Sequence, residues 1–511
     1  MTGQEQQTEE AAEAESPAAE AESSHPPSVP ARSTATTERS RSTATVAVMT
    51  DERNAIDTLL VLGASGDLTK RLLLPGLATL LASKKGRSLQ LVGAGMEELG
   101  TQAWRERVTS SFRSSGAKGR LLTETARKSR YFQADVTDPD QLARLLGECP
   151  GTPAIYFALP PAVTAKVCAA LGKVDYPKGM VLVLEKPFGT DEESAHRLNQ
   201  LLTSLVPENQ VHRVDHFLGH SDVLNILGTR FANTFLEPVW NNQHIESIEI
   251  VFDEDLTLEN RAGYYDRAGA LVDMIQSHLL QVMGILMMEP PATLEEDDLR
   301  NGKSSVLRAT HLFDDAKHSS RRARYTAGTI GRRKVPAYTR EPGVDPKRRT
   351  ETLAEVTLEV RNWRWVGVPV TLRSGKSLGT PRKELVVTFK PPSHLPVGFH
   401  GTDRPARLVI GLNPTRLALG MDVNGPGDPF VLDWVELETG LAPGDLEAYG
   451  QVLEGVLAAD PTLSVRGDTA EQCWRIVAPV IEAWNRDEVP MDSYPAGSDG
   501  PRSWASTSAR P

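Results

Sequence analysis

The sequence predicts an α/β domain with a Rossmann-like, doubly wound parallel sheet, followed by an α+β domain with a large, mainly antiparallel sheet. Two observations carry this prediction. In the first part of the chain, apolar runs that stop abruptly at Gly or Pro alternate with segments of helical spacing. After about Val214 the runs alternate polar and apolar residues, which is typical of half-buried antiparallel strands.

The first predicted strand is the run DTLLVLG from Asp57, whose continuous apolar character suits a strand buried on both faces. The segment TKRLLLPGLATLLAS from Thr69 has helical spacing, and LQLVGAG, which ends at Gly95, predicts the second strand. TPAIYFALPP from Thr152 and MVLVLEKPFG from Met180 predict two more strands with a helix between them. Ligands of such sheets bind at the carboxyl ends of the strands, so we expect the site there.

The second domain is predicted from four alternating runs and one long apolar helix. The strands are HIESIEIVFDE, ETLAEVTLEVRNW, VPVTLRSG and ELVVTFK, and the helix is ALVDMIQSHLLQVMGILMM. We find no internal repeat with a period typical of solenoid proteins. We therefore expect one large sheet with helices packed against it.

Changes in pattern predict the domain boundaries. We expect a disordered acidic tail over 1–55, a Rossmann-like domain over 56–214, an α+β domain for substrate binding and oligomerisation over 215–490, and a flexible tail over 491–511. The first tail has almost no large apolar residue, so burial cannot offset the entropy of ordering it. A true start at Met49, just before the first strand, stays open.

Charge and composition exclude several classes of protein. The 511 residues include 56 Lys+Arg and 67 Asp+Glu, a net charge of −11, which argues against general nucleic-acid binding. We find no apolar run of membrane-spanning length and no basic-then-apolar secretory leader. Three scattered cysteines indicate a reducing compartment, so we predict a soluble, cytoplasmic protein. The basic stretch over 317–338 is interpreted as a solvated loop rather than a polyanion patch.

The turn after the first strand reads GASGDL and is the first candidate site. Its residues are Gly63, Ala64, Ser65, Gly66, Asp67 and Leu68. Glycines allow a tight turn, and the following helix presents unpaired N–H groups that suit a pyrophosphate. The spacing is GxxG rather than GxGxxG, so a strand–helix turn without a ligand is the alternative.

Three further motifs carry titratable side chains. Lys186 leaves a buried strand in EKPFG, where it either enters the cleft or lies on the surface beside a turn. Asp215 and His216 in RVDHFLGH form an Asp-His pair at the predicted domain junction, which could also be a satisfied turn. Asp273 and His278 lie on the long apolar helix, where a buried polar group is costly unless it is paired.

Taken in order, these motifs resemble those of bacterial-type glucose-6-phosphate dehydrogenases. The similarity runs through GASGDLTKR, EKPFG, RVDHFLG, LGTRFAN with EPVWN, and RAGYYDRAGALVDMIQSHLLQ, and continues to about residue 490. It implies an oxidoreductase that transfers a hydride from C1 of glucose 6-phosphate to NADP+ or NAD+, giving 6-phosphogluconolactone. This is the first oxidative step of the pentose phosphate pathway, and no metal is expected.

The resemblance also implies roles for individual residues. His278 would be the general base on the C1 hydroxyl, and Asp215 would hold its imidazole in the right tautomer, as in a catalytic triad. Lys186 would bridge substrate and cofactor. Pro160, at the end of the TPAIYFALPP strand, would lie against the nicotinamide, and the GASGDL turn would bind the pyrophosphate.

Other residues would hold the sugar phosphate. His216 would bind the phosphate, with Lys376 of the RSGKSL loop adding positive charge nearby. Glu254 and Asp273 would accept hydrogen bonds from sugar hydroxyls. His220, when protonated, would partly replace a lysine that the family has at that position.

Four positions depart from the family pattern. Phe217 and His220 stand where the family has Tyr and Lys on the phosphate, and Leu72 replaces a cofactor-contacting Lys. Met96, followed by Glu97, stands where the family has an Arg on the 2′-phosphate. A carboxylate there suits a free ribose 2′-OH, so we expect NAD+ to be used at least comparably, unless another basic side chain takes over.

Three functional alternatives follow. The chain oxidises glucose 6-phosphate, or another aldose or aldose phosphate, or it is a catalytically silent regulatory homologue. Retention of Asp215, Lys186 and His278 argues against the silent homologue. The resemblance further implies a homodimer or homotetramer whose ligand is a small sugar phosphate, with no nucleic-acid or membrane partner.

Overall fold

A computed structural model describes most of the chain. The described residues are 56–504, without 259–261, 402–403, 443 and 445. The predicted acidic tail lies outside them.

Within the described residues, six parallel strands form the first sheet. They are β1 (Thr58–Leu62), β2 (Gln90–Gly95), β3 (Arg130–Gln133), β4 (Pro153–Phe157), β5 (Val181–Glu185) and β6 (Val211–Val214). The parallel sheet was predicted from four of them, and β3 and β6 were not predicted. Their order is β3-β2-β1-β4-β5-β6, and every pair is parallel. The order reverses between β1 and β4, which opens a ligand crevice at their carboxyl ends.

Helices cover both faces of this sheet. They are α1 (Leu74–Ala82), α2 (Thr101–Ser114), α3 (Arg120–Lys128), α4 (Pro139–Gly147), α5 (Pro161–Leu171) and α6 (Glu192–Leu205). Every residue of β1 and β4 is buried, which explains their unbroken apolar sequences. The helix after β1 begins with a π turn, Thr69–Leu73, that leads directly into α1.

The second sheet is large and mixed. Its strands are β7 (Ile245–Asp253), β8 (Thr310–Leu312), β9 (Ser320–Thr326), β12 (Leu353–Val360), β13 (Val370–Gly375), β14 (Lys383–Phe389), β15 (His400–Gly401), β16 (Arg407–Leu412), β17 (Thr415–Asn424), β18 (Val431–Gly440) and β19 (Met491–Pro495), while β10 (Gly328–Ile330) and β11 (Arg333–Val335) form a separate hairpin. Most pairs are antiparallel, as expected, but β7 and β13 pair in parallel at its centre. The basic stretch interpreted as a solvated loop in fact supplies β9, with Arg322 buried.

The remaining helices pack mainly against this sheet. They are α7 (Ser221–Phe231), α8 (Ala262–Ala270), α9 (Leu280–Met287), α10 (Glu296–Ala309), α11 (Ala316–Ser319), α12 (Ala448–Leu457) and α13 (Gly467–Asn485). A π segment, Leu271–Leu279, joins α8 to α9. The joined helix of 26 residues is long and apolar enough to pass as a membrane span, but 89% of its most apolar window is buried inside the molecule. It is the central core helix of this part of the chain.

One helix from beyond the predicted boundary at 214/215 packs against the first sheet. The apolar face of α12 packs into the core of the parallel sheet, where Leu453 joins the same cluster as Leu59 and Leu77. The chain therefore returns to the first sheet late in the sequence. The boundary itself stays a prediction.

The predicted flexible tail over 491–511 is wrong for 491–504. β19 pairs in parallel with β9, and Tyr494 and Trp504 are buried. The Ser, Gly and Pro content of this segment indicated a loop, but two aromatic side chains anchor it in the core. Residues 505–511 lie outside the described part.

Candidate active site

The ends of neighbouring strands bring the predicted catalytic residues together. Lys186 follows β5 and Asp215 follows β6, and these strands pair so that Glu185 lies opposite Val214. His278 comes from the π segment of the central helix. π turns inside helices occur frequently at functional sites, and this one presents Asp273 and His278 to the same lysine.

His278 and Asp215 form a buried dyad. The Nδ1 atom of His278 lies 2.6 Å from Oδ1 of Asp215, which also accepts the backbone N–H of Phe217 at 2.9 Å. Burial raises the pKa of Asp215, and the neighbouring His216 and the backbone N–H of Phe217 oppose this shift. Because an ionised carboxylate only accepts hydrogen bonds, Nδ1 carries the proton and Nε2 is left as the basic nitrogen.

The Lys186 ammonium contacts that basic nitrogen. Its Nζ lies 2.6 Å from Nε2 of His278 and donates to the backbone oxygen and Oδ1 of Asp273, each at 3.0 Å. Burial, reinforced by this cation, lowers the pKa of His278 well below its usual range. His278 is therefore neutral and able to accept a proton.

Aromatic rings surround His278. The ring of Phe217 stacks on His278 with centroids 4.3 Å apart, and the ring of His216 meets His278 edge-on at 4.8 Å. Burial, together with the neighbouring His278, lowers the pKa of His216 to about 3. Burial also lowers the pKa of His220, whose ring lies 6.1 Å from that of His216. Both phosphate candidates are therefore neutral here.

Two tyrosines that the sequence did not indicate, Tyr156 and Tyr449, support the residues around His278. The hydroxyls of Tyr156 and Tyr449 donate to Oε1 of Glu185, the latter at 3.2 Å. The ring of Tyr449 also stacks on His216, with centroids 5.9 Å apart. The glutamate was visible in EKPFG at the end of a buried strand, but nothing in the sequence pointed to Tyr449.

Glu254 and Lys376 end two adjacent parallel strands. Their side chains form an ion pair, with Nζ of Lys376 2.5 Å from Oε2 of Glu254. Although burial opposes it, the charge and hydrogen bond of Lys186, together with His278 and Lys376, lower the pKa of Asp273 to about 2. The predicted sugar-binding residues therefore form one charged cluster beside the dyad.

The GASGDL turn fits a dinucleotide. Gly63 has a φ of 80°, and a Cβ atom at this position would lie 2.3 Å from the backbone oxygen of Ala158. Only glycine lets the ends of β1 and β4 approach so closely. Ala64, Ser65, Gly66, Asp67 and Leu68 then lead into the helix, whose first amides can bind phosphate. Pro160 begins α5 on the other side of this crevice.

Met96 lies at the end of β2, and its side chain is 69% exposed. The loop is fixed by Nε2 of Gln133, which donates to the oxygen of Met96 at 3.1 Å, and by the hydroxyl of Tyr131, which donates to the oxygen of Glu97 at 2.9 Å. Of the basic substitutes, Arg71 forms an exposed pair with Asp67 at 3.3 Å. Leu72 is 47% exposed.

Asp215, His216 and His278 offer ligand atoms within 4.8 Å of one another, as a metal site would. Their hydrogen bonds already account for this arrangement, since Asp215 holds Nδ1 of His278 and Lys186 contacts Nε2. The expectation of a reaction without metal stays a prediction.

Comparison with known proteins shows the family of this chain. The family model for the glucose-6-phosphate dehydrogenase NAD binding domain matches residues 60–225, and that for the C-terminal domain matches residues 227–510. Curated glucose-6-phosphate 1-dehydrogenases of Treponema pallidum and Mycolicibacterium smegmatis are 38% and 34% identical to this chain. The first match covers 87% of this chain and 92% of the relative, and the second covers 86% and 94%.

Solved structures give the same result. The crystal structure of glucose-6-phosphate 1-dehydrogenase from Mycobacterium avium has a TM-score of 0.77 at 30% identity. A glucose-6-phosphate dehydrogenase in complex with its substrate glucose-6-phosphate has a TM-score of 0.80 at 27% identity. Each comparison covers 88% of this chain and 96% of the other. The chain belongs to the glucose-6-phosphate dehydrogenase family of oxidoreductases.

Proposed function

We propose that this chain oxidises glucose 6-phosphate at C1 to 6-phospho-D-glucono-1,5-lactone, with His278 as the general base. The observation that carries the proposal is the buried Asp215–His278 hydrogen bond, which leaves Nε2 of a neutral imidazole directed at Lys186. When bound, NAD(P)+ supplies the hydride acceptor. The GASGDL turn and Pro160 would hold it in the crevice between β1 and β4.

The proton transfer requires an exchange of partners at His278. The C1 hydroxyl replaces the Lys186 ammonium at Nε2 and gives its proton to that nitrogen. Lys186 keeps its two contacts with Asp273, at 3.0 Å each, and so stays beside the reacting carbon. Asp215 stabilises the imidazolium that forms, which offsets the burial that disfavours it.

The phosphate is held by His216, His220 and Lys376, and the hydroxyls by Glu254 and Asp273. Both histidines are neutral in the free protein because burial lowers their pKa values. A phosphate dianion favours their charged forms, so binding would take up protons. Contacts at this remote group then position C1 against the base.

The test is steady-state reduction of NAD+ and NADP+ at 340 nm with glucose 6-phosphate, glucose and one other hexose phosphate. We expect turnover chiefly with glucose 6-phosphate, and the variant His278→Asn should lower kcat by about 100- to 10,000-fold with little change in KM. A preference for an unphosphorylated sugar would favour the aldose alternative. No turnover with any sugar would favour the silent homologue.

We further propose that NAD+ is used comparably to NADP+ or better. The support is that exposed Met96 stands at the 2′-phosphate position and that Arg71 is already paired with Asp67. Met96→Arg should raise the kcat/KM ratio of NADP+ over NAD+ about tenfold or more, since a charge-assisted contact forms. A wild-type protein that strongly prefers NADP+ would contradict the idea.

The domain bounds, the location and the assembly of the protein are further proposals. We propose a Rossmann-like domain over 56–214, an α+β domain over 215–490, a cytoplasmic location, and assembly into a homodimer or homotetramer without nucleic-acid or membrane partners. The free cysteines of the described region are all buried, which suits a reducing compartment.

A further inference from the structure

An arginine of α2 contacts the turn that is proposed to bind the cofactor. Arg107 is half-buried, and its Nη1 atom donates to the backbone oxygen of Ser65 at 2.6 Å. The helix that carries it is anchored on β2, since a Cβ atom on Gly93 would lie 3.0 Å from the ring of Trp104. The guanidinium is therefore held at the GASGDL turn from the side of the second strand.

The same turn lies against the carboxyl end of β2. A Cβ atom on Gly95 would lie 3.7 Å from Oγ of Ser65 and 3.1 Å from the hydroxyl oxygen of Tyr131. That hydroxyl donates to the backbone oxygen of Glu97 at 2.9 Å. Burial raises the pKa of Tyr131, the charge of Glu97 adds to this shift, and the charge of Arg107 opposes it. Arg107, the turn and the end of β2 thus form one wall of the crevice.

The end of the second strand is where a Rossmann-like domain binds the adenosine ribose of its cofactor. A carboxylate at this place pairs with a free 2′-hydroxyl, whereas an arginine nearby accommodates a 2′-phosphate. This chain has Met96 and Glu97 after β2, and neither supplies a positive charge. Arg107 brings a positive charge to the same place from α2.

The guanidinium of Arg107 has donors available for a ligand. It carries several N–H groups in a fixed fork, and its hydrogen bond to Ser65 uses Nη1. In the described part of the chain Arg107 forms no ion pair with a carboxylate. Arg71, by contrast, pairs with Asp67 at 3.3 Å. A half-buried guanidinium without a carboxylate partner suits a phosphate, which it can bind through two parallel hydrogen bonds.

We propose that Arg107 is a specificity-determining residue that contacts the 2′-phosphate of NADP+ from α2. The proposal rests on the proposed binding of NAD(P)+ at the GASGDL turn. Glu97 favours the free 2′-hydroxyl of NAD+, and Arg107 favours the phosphate of NADP+. The two side chains together allow this chain to use both cofactors although Met96 offers no charge.

The experiment measures the binding of 2′,5′-ADP and of 5′-AMP to the wild type and to Arg107→Gln by isothermal titration calorimetry. The two fragments differ only in the 2′-phosphate. We expect the variant to bind 2′,5′-ADP about 10- to 100-fold more weakly, because a charge-assisted hydrogen bond is lost, and 5′-AMP within about twofold of the wild type. The kcat/KM for NADP+ should fall by a similar factor and that for NAD+ should not. Arg107→Met repeats the test if the Gln variant does not fold.

Arg105→Gln is the matched control on the same helix, because Nε of Arg105 donates to the backbone oxygen of Ser129 at 3.0 Å, before β3. It should change the affinity for neither fragment. Equal weakening of both fragments in Arg107→Gln would overturn the proposal, since it would show that Arg107 acts only on the shape of the turn.

Two other results would also overturn it. One is a wild type that binds 2′,5′-ADP no more tightly than 5′-AMP. The other is a selective loss of 2′,5′-ADP binding in Lys70→Gln but not in Arg107→Gln, which would assign the phosphate to Lys70. Fragment binding needs no sugar, so a protein that does not oxidise glucose 6-phosphate would contradict the proposed function and leave this test intact.

Discussion

His278 has two neighbours with opposite effects on its proton affinity. Asp215 on Nδ1 stabilises the imidazolium, whereas the Lys186 ammonium on Nε2 disfavours it. The free protein therefore keeps His278 neutral, with the Lys186 ammonium on its Nε2 atom. In the proposed reaction, the C1 hydroxyl replaces that lysine, so His278 can act as the base only when substrate is bound.

His220, a predicted ligand of the substrate phosphate, can be tested by substitution. His220→Lys places a permanent ammonium where burial keeps the histidine neutral. A charge-assisted hydrogen bond to the phosphate stabilises binding by about 1.5–3 kcal/mol. We therefore expect KM for glucose 6-phosphate to fall about tenfold at pH 8, measured by steady-state kinetics.

His318→Lys is the matched control, because His318 is exposed and pairs with Asp315 away from the site. It should leave KM unchanged, and neither variant should improve the oxidation of unphosphorylated glucose. An unchanged KM in His220→Lys would mean that His220 does not contact the phosphate.

At the scale of elements, one buried carboxylate fixes the start of the π segment that carries His278. Oε1 of Glu351 accepts the backbone N–H of Leu271 at 2.9 Å, where the π segment begins. Gly269, with a φ of 66°, makes room for it, since a Cβ there would lie 2.2 Å from that oxygen. The loop before β12 thus sets where the helix carrying His278 starts.

This contact predicts a pH dependence of stability. Burial raises the pKa of Glu351 from 4.5 to about 7. The pKa of Glu351 is higher in the folded state than in the unfolded state, so its protonation stabilises the folded state. This contribution is fully present below pH 4.5 and is lost as the pH rises to about 7. The free energy of unfolding falls by about 3 kcal/mol over this pH range, at about 1.36 kcal/mol per pKa unit.

Glu351→Gln keeps an acceptor for Leu271 but carries no charge. We expect it to raise the free energy of unfolding at pH 8 by up to about 3 kcal/mol and to change it little at pH 5, measured by denaturant titration. Glu246→Gln, at an exposed position of β7, should change it little at either pH. An equal effect of Glu351→Gln at both pH values would show that its ionisation does not matter.

At the scale of the whole molecule, the outer strands of the large sheet leave an apolar groove uncovered. A cavity of about 340 Å³ lies over β16, β17 and β18, and its lining includes Leu408, Leu417, Leu419 and Leu437. Leu437 is 60% exposed. Exposed contiguous apolar surface of this kind marks an interaction site, and the proposed oligomer would cover it with a second copy.

We therefore expect a homodimer or homotetramer by light scattering after size-exclusion chromatography. Leu437→Lys should weaken this assembly about tenfold or more in Kd, because it buries an unpaired charge in the interface. Val397→Lys is the control, since Val397 is fully exposed and does not line the groove. A wild-type protein that elutes as a monomer at micromolar concentration would contradict the proposed oligomer.

The sequence by itself determined the class of fold and most of the candidate residues. The strands β1, β2, β4 and β5 were readable because their sequences are mostly apolar runs that end at Gly or Pro, and the GASGDL turn because glycine marks a tight backbone position. Asp215, Lys186 and His278 stood out because each follows or interrupts an apolar segment. These are local properties, carried by residues adjacent in the chain.

Only the tertiary structure decided how these residues act on one another. The contact of Lys186 with His278 and the stacking of Tyr449 on His216 join positions far apart in the sequence. The terminal strand β19 also forms only because β9 offers it an edge and the core accepts Tyr494. Periodicity reports which face of one element is buried, whereas pairing and charge depend on which elements pack together.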